Sequence, residues 1–303
     1  MRIVFFGTPE FAVASLKAIM ASNHKVVAVV TTPDSLGGRG RNQLIESEVK
    51  KYALLHNLPI FQPEKLRDKS FINSLQELKA DIYVVVAFRM LPEQVWNLPP
   101  LGTINVHGSL LPKYRGAAPI HWAVINGEME TGITIFKLKH KIDTGDIILK
   151  AKLPIGIDDT TGEVYHKLMQ LGAQTLVTAL DQIENGQVHY ESQNESEASP
   201  APKLFHENAS IDIHVSSGEI HNLVRGLNPN PSAWLRLDGI KYFIHRTRLS
   251  APPYNFENIE TGKFFKSQNE LFLRTIDGAL TILEIQPEGK RKMTGAEFAT
   301  RLK

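Results

Sequence analysis

The 303-residue chain contains no cysteine, which excludes disulfides, thiol nucleophiles and metal centres held by thiolates. It also lacks a long hydrophobic run. The opening MRIVFFGTPE has too short an apolar stretch for a signal peptide, and no later segment approaches the roughly 20 residues of a membrane helix. A cytoplasmic location is the expectation. Charge of one sign is missing as well: 34 Lys and Arg stand against 32 Asp and Glu. That balance neither demands nor forbids a nucleic-acid partner, because a basic patch can hide in the total. Neither His-Glu-x-x-His nor Gly-x-Ser-x-Gly occurs, and the first turn, FFGTPEF, has one glycine where a dinucleotide fingerprint needs three. A resident metal, a serine nucleophile and a Rossmann cofactor are therefore not expected.

What is present is a succession of short runs that are apolar throughout: RIVFF (2–6), KVVAVVTT (25–32) and DIYVVVAF (81–88). Helix-like stretches separate them, at 10–21, 47–57 and 69–79. Continuous apolarity between helices implies a parallel sheet covered on both faces. Thr8-Pro9-Glu10 reads as an N-cap, a proline in the first turn and an acid. GTINVH (102–107) adds a strand, and GITIFKL (132–138) with GDIILKAKL (145–153) suits an antiparallel pair, so the sheet is expected to be mixed. A long helix is expected over 160–184.

The texture then changes. Residues 189–205 are polar and without periodicity, and read as a linker. Beyond them, Ser216-Ser-Gly-Glu219 forms a capping box ahead of Ile220, Leu223, Val224 and Leu227. Short strands and a closing helix after Thr294 follow. The expected fold is α/β: a Rossmann-like, doubly wound, mostly parallel sheet over 1–188, then a smaller OB-like β-barrel over 206–303.

The candidate site lies in INVHGSLLPKYRGAAP (104–119). Alternation places Asn105 and His107 on one face of a strand that ends in a loop rich in Gly and Pro. That pair alone fits a hydrogen-bonded structural junction as well as it fits catalysis. Asp143, in the turn KIDTGDI, is on its own compatible with an ordinary Asx-turn. Brought together, however, an amide, an imidazole and a carboxylate form a working set for acyl transfer. The amide holds an oxyanion, the imidazole moves a proton, and the carboxylate fixes the imidazole's tautomer and charge. With no nucleophile signature, transfer from donor to acceptor would be direct.

NVHGSLLPKYRGAAP followed by IDTGD, with GTPEFA, TTPD, FQPEKLR and RGLNPNPSAW elsewhere, resembles the folate-dependent formyltransferases over the whole chain. The likeness is strongest to the branch acting on initiator methionyl-tRNA; formylation of an amino sugar on a nucleotide is the alternative. The resemblance implies 10-formyltetrahydrofolate as donor; the absence of a metal and a monomeric state are further expectations. It also makes Asn105, His107 and Asp143 catalytic and lays Ser109, Leu110, Leu111 and Pro112 against the folate. Arg39 and Arg41 in the GRGR loop would meet the tRNA acceptor end, with Lys241, Arg246, Arg248, Lys290, Arg291 and Lys292 adding phosphate contacts. Two stretches depart from the family pattern: Phe88-Arg89-Met90-Leu91-Pro92 beside the expected pterin pocket, and Asn228-Pro229-Asn230-Pro231.

Overall fold

The computed structural model describes residues 1–37, 43–253 and 256–302. Arg39 and Arg41 lie outside them. The first elements are β1 (Arg2–Gly7), α1 (Glu10–Met20), β2 (Lys25–Val30), β3 (Ser35–Gly37), β4 (Gln43–Ile45), α2 (Glu48–Leu55), β5 (Ile60–Phe61) and α3 (Lys69–Glu77). Next come β6 (Ile82–Val86), α4 (Glu93–Trp96), β7 (Thr103–His107), β8 (Arg115–Gly116), α5 (Pro119–Ile125), β9 (Glu130–Lys137), β10 (Ile147–Pro154) and α6 (Thr161–Glu184). The last are β11 (Pro200–Ala201), α7 (Ser217–Gly226), β12 (Ala233–Leu237), β13 (Ile240–Arg248), β14 (Phe264–Ser267), β15 (Glu270–Arg274), β16 (Ala279–Pro287), β17 (Met293–Thr294) and α8 (Gly295–Ala299).

Two compact units emerge. One comprises Met1–Gly116, Gly132–Leu153 and Tyr165–Pro200; the other comprises Ala117–Thr131, Pro154–Val164 and Ala201–Lys303. In the first, a seven-stranded sheet runs in the order β10-β9-β7-β6-β1-β2-β5. β1 pairs in parallel with β2 and β6, and β6 with β7, while β7 meets β9 antiparallel. The sheet is therefore mixed, as the patterning implies. Strands β1 and β6 are buried along nearly their whole length, which is why they carry no polar face. One local expectation fails. Helix α1 begins at Glu10 with Pro9 as its N-cap, and no side chain caps it. The Thr8 hydroxyl is instead buried without a partner among the described residues, because the chain leaves β1 extended for one residue more than a Thr8 cap allows.

The second unit is an antiparallel sheet, β12-β13-β16-β15-β14, with β17 on β16. Its core joins Ile220, Val224 and Leu227 of α7 to Leu235, Ile244, Leu271, Leu280 and Ile285. The expected capping box forms at Ser216 with Glu219, and a second one, at Thr294 with Glu297, opens the closing helix. Two segments from earlier in the chain belong to this unit. Ile125 of α5 packs against its core, so close to α7 that a Cβ on Gly226 would lie 2.4 Å from Ile125. The 154–164 segment is held by α7: His221 Nε2–H donates to the Ile157 carbonyl at 2.9 Å, and Arg225 donates to that of Asp159 at 3.1 Å. The polar stretch read as a linker is hydrogen-bonded within the first unit through Ser199. Glu191 exchanges backbone bonds with Ile147, and Ser199 Oγ accepts from Tyr114 N–H at 2.9 Å.

Candidate active site

The parallel strands β1, β6 and β7 end in register, with Gly7 opposite Val86 and Val86 opposite Val106. An open α/β sheet keeps its ligands at this carboxyl edge. Asn105 and His107 point to the same face of β7, and His107 is its last residue. Asn105 lies between Val85 and Phe136, and His107 is opposite Thr134.

His107 is 6% exposed. Its Nε2 stands 2.9 Å from the carbonyl oxygen of Tyr114. A carbonyl only accepts, so Nε2 carries the hydrogen and, in the neutral ring, Nδ1 keeps the lone pair. Nδ1 faces Asp143 Oδ2 at 3.8 Å, beyond a direct hydrogen bond. The same oxygen, Oδ2, accepts from the Gly116 N–H at 2.9 Å. From sequence, the carboxylate is expected to fix the tautomer; a main-chain carbonyl performs that task, which leaves Asp143 to face the other nitrogen. The ring edge of Phe136, 6.4 Å away at 82°, walls the imidazole. Asn105 differs from its neighbours: half-buried, it makes no side-chain hydrogen bond with any described residue.

The structure thus brings the three expected groups to one edge. It also adds groups that the motifs do not assign. Tyr114, Arg115 and Gly116 lie inside the quoted motif, whereas Gln193 lies in the stretch read as a linker. Gln193 Nε2 donates to the carbonyls of Asp143 and Gly145, each at 2.8 Å. Asp143 has a left-handed backbone, φ +54°. Gly145 is required by crowding, since a Cβ there would sit 1.5 Å from the Lys137 carbonyl oxygen.

Of the four residues expected against folate, Leu110 alone keeps partial exposure; Ser109, Leu111 and Pro112 are buried. Leu111 packs with Phe136 and Ile147, and its N–H donates to Thr134 Oγ1 at 3.0 Å. That hydroxyl donates in turn to the Ser109 carbonyl at 2.7 Å, and Ser109 Oγ donates to the Lys113 carbonyl at 2.7 Å. The loop is therefore rigid, with Leu110 its apolar outward member. Beyond β6, Arg89 donates to the carbonyls of Pro63 and Glu64, and burial pushes its guanidinium below the ordinary value.

Four of the basic residues expected against RNA are ion-paired at the surface. Arg246 pairs with Glu163, Arg248 with Glu270, Arg291 with Glu297 and Lys292 with Glu284. Lys241 lies over the rings of Trp234 (4.0 Å) and Phe243 (5.0 Å) and donates to His206 Nε2 at 2.7 Å. Lys290 has no ion pair among the described residues. Exposed pairs of this kind are worth about 0–1 kcal/mol, so a phosphate can replace the carboxylate. Among the described residues, the one cluster with metal-ligand spacing is His24, Asp181 and Glu184, and none of the catalytic candidates is in it.

Residues 1–180 match the family described as Formyl transferase, and residues 203–303 match Formyl transferase, C-terminal domain. The methionyl-tRNA formyltransferase of Bacteroides fragilis is 44% identical over 306 residues, spanning 98% of this chain and 94% of the relative. That of Flavobacterium johnsoniae is 43% identical over 303 residues, spanning 98% and 95%. Among solved structures, the sugar 3N-formyl transferase WlaRD, with dTDP and 5-N-formyl-THF, superposes with a TM-score of 0.70 at 22% identity, covering 96% of this chain and 99% of that one. An N-formyltransferase from Helicobacter canadensis gives 0.65 at 22%, covering 96% and 99%. Identities this low speak for the fold alone.

Proposed function

The chain belongs to the formyl transferase family, among its methionyl-tRNA formyltransferases, and from that membership we propose how its own residues carry the reaction. The activity is transfer of a formyl group from formyl-tetrahydrofolate to methionyl-tRNA, a step of translation initiation. The finer reading is that the donor is the 10-formyl isomer, the acceptor is the α-amine of methionine on initiator tRNA, and no metal takes part.

The free amide of Asn105 is the observation that carries the assignment. Of the three groups it is the one whose side chain has no hydrogen-bond partner among the described residues, so it is the one with a hydrogen bond to offer an oxyanion. A donor of this kind is typically worth about 3 kcal/mol in the transition state. His107 Nδ1, with its lone pair free, accepts the proton as the amine bonds to the formyl carbon. Asp143, at 3.8 Å, then lies beside the imidazolium and offsets its charge. When the bond from the formyl carbon to the folate nitrogen breaks, His107 returns the proton to that nitrogen. Atoms and charge balance without a covalent enzyme intermediate. Leu110 supplies an apolar wall for the flat donor, backed by buried Leu111 and Pro112. Arg39, Arg41, Lys241, Arg246, Arg248 and the run 290–292 supply phosphate contacts.

The test is steady-state formylation with 10-formyltetrahydrofolate, offered charged initiator tRNA or a nucleotide-linked amino sugar, with and without EDTA. Asn105→Ala and His107→Ala are each expected to lower kcat by roughly 100-fold or more while folding normally. Near-normal turnover in His107→Ala removes the imidazole from the mechanism. Preference for the amino sugar, or loss with EDTA restored by zinc, overturns the finer reading.

A further inference from the structure

We infer that Gln193 is a positioning residue for the formyl transfer, acting through Asp143; the inference rests on Asp143 belonging to the reaction, as proposed above. Every hydrogen-bonding site that this amide has in its plane is used. Its two N–H groups reach the carbonyls of Asp143 and Gly145, each at 2.8 Å. Its Oε1 accepts from Arg115 Nε at 3.1 Å and Nη2 at 2.8 Å. The chemistry fixes which end is which, since two carbonyls demand the NH₂ and a guanidinium demands the oxygen.

The bonds form a closed circuit around the catalytic carboxylate. Gln193 holds the main chain of Asp143, a residue with left-handed backbone at φ +54°. Arg115 orients Gln193, and the residue after Arg115, Gly116, donates its N–H to Asp143 Oδ2 at 2.9 Å. Backbone and side chain of Asp143 are thus anchored from two sides that are themselves tied together. Gln193 is placed by its own neighbours: Glu191 is paired with Ile147 through the backbone, and Ser192 Oγ donates to Asp146 Oδ1 at 3.2 Å. Arg115 also pairs with Glu195 at 2.8 Å, and that guanidinium holds the Glu195 carboxyl below the usual range. The polar stretch after α6 therefore does more than connect. It determines where a proton-compensating charge stands relative to His107.

Displacement of a catalytic group by about 1 Å is enough to cost roughly 100-fold in rate. Gln193→Met keeps the length and removes all four bonds; kcat is expected to fall about 10- to 100-fold, with KM for the donor changed less than about threefold. Gln193→Glu, which keeps its acceptors for Arg115 but turns an oxygen onto two carbonyls, is expected to fall as far. Arg115→Met loosens Gln193 without touching the 143–145 turn and is expected to fall less, which gives a second measure should Gln193→Met fold poorly. The deciding measurement is the pair Asp143→Asn and Asp143→Asn/Gln193→Met. Where Asp143 is already disabled, Gln193→Met should change the residual kcat by less than about twofold. The same fold-loss in both backgrounds shows a merely structural role and overturns the inference, as does wild-type kcat in Gln193→Met and Arg115→Met. If Asp143→Asn itself turns over normally, the catalytic reading fails first, and that result is distinct from either.

Discussion

Replacing Gly145 by alanine puts the geometry of the turn that carries Asp143 to a direct test. Gly145 has no positive φ, so its backbone does not itself demand glycine. Its surroundings do. The added Cβ would lie 1.5 Å from the Lys137 carbonyl oxygen, 2.7 Å from the Lys137 carbonyl carbon and 3.1 Å from Phe136 Cδ2. An ordinary carbon–oxygen approach is about 3.5 Å, so the two backbones must part by roughly 2 Å. That movement breaks the Lys137 N–H to Asp146 carbonyl bond, now 2.9 Å, and the Gln193 bond to the Gly145 carbonyl, now 2.8 Å. Two hydrogen bonds at about 1 kcal/mol each, with about 1–3 kcal/mol of overpacking, predict a destabilisation of roughly 3–5 kcal/mol. Asp143, two residues upstream, moves with the turn, and kcat is expected to fall about 100-fold. Urea unfolding monitored by fluorescence and single-turnover formylation of charged tRNA measure the two effects. Gly278→Ala is the control, because a Cβ there meets nothing within 4 Å. If Gly145→Ala keeps kcat within about twofold of wild type and loses no more stability than Gly278→Ala, close approach of the two backbones does not govern the turn.

Two further outcomes are expected. Burial pushes the imidazoles of His121, His221 and His245, all in the second unit, below the ordinary 6.5; the unfolded chain then binds protons that the native chain refuses, so stability is full above pH 6.5 and declines as pH falls below it. Tm at pH 5.5 should lie below that at 7.5, His221→Gln should flatten the difference, and an unchanged acid limb in all three His→Gln variants would remove burial as its cause. Neutralising Lys290, Arg291 and Lys292 together should raise KM for tRNA and flatten its salt dependence, with kcat intact. The log–log slope should change by about 0.9 for each phosphate no longer neutralised; a slope equal to wild type takes that run out of the tRNA site.

The parallel strands were legible because burial on both faces leaves no room for a polar period, and RIVFF and DIYVVV show none. The capping box at Ser216 was legible because its partner, Glu219, stands three residues away. The assignment of α5 to the second unit was not. Apolar periodicity says that a helix has a face to bury, and is silent about whose core receives it. Ile125 finds its partners around α7, about 100 residues on. Thr8 looked like a cap by type, but capping depends on where the chain turns, and it turns at Pro9. Gln193 was illegible for a related reason. Its partners are two carbonyls and a guanidinium, and main-chain acceptors leave no trace in side-chain composition.

The direct transfer proposed above accounts for the way this site is built. An enzyme with a covalent nucleophile can hold its acyl group while the second substrate arrives, whereas direct transfer requires both substrates to meet fixed groups at one moment. The fixing is done by the main chain: the Tyr114 carbonyl sets the His107 tautomer, and the Gly116 N–H holds Asp143. Three non-glycine residues beside the site also have left-handed backbones. Ala87 follows β6 at φ +48°, Tyr114 lies at +62° and Asp143 at +54°. Aspartate tolerates this region, whereas tyrosine and alanine gain nothing from it locally. Their conformations persist because bonds such as Tyr114 N–H to Ser199 Oγ, at 2.9 Å, over-determine them. Asn105, with no side-chain hydrogen bond among the described residues, is the contrast: the other polar groups of the site aim one another, and its amide is the one the proposed mechanism gives to the substrate.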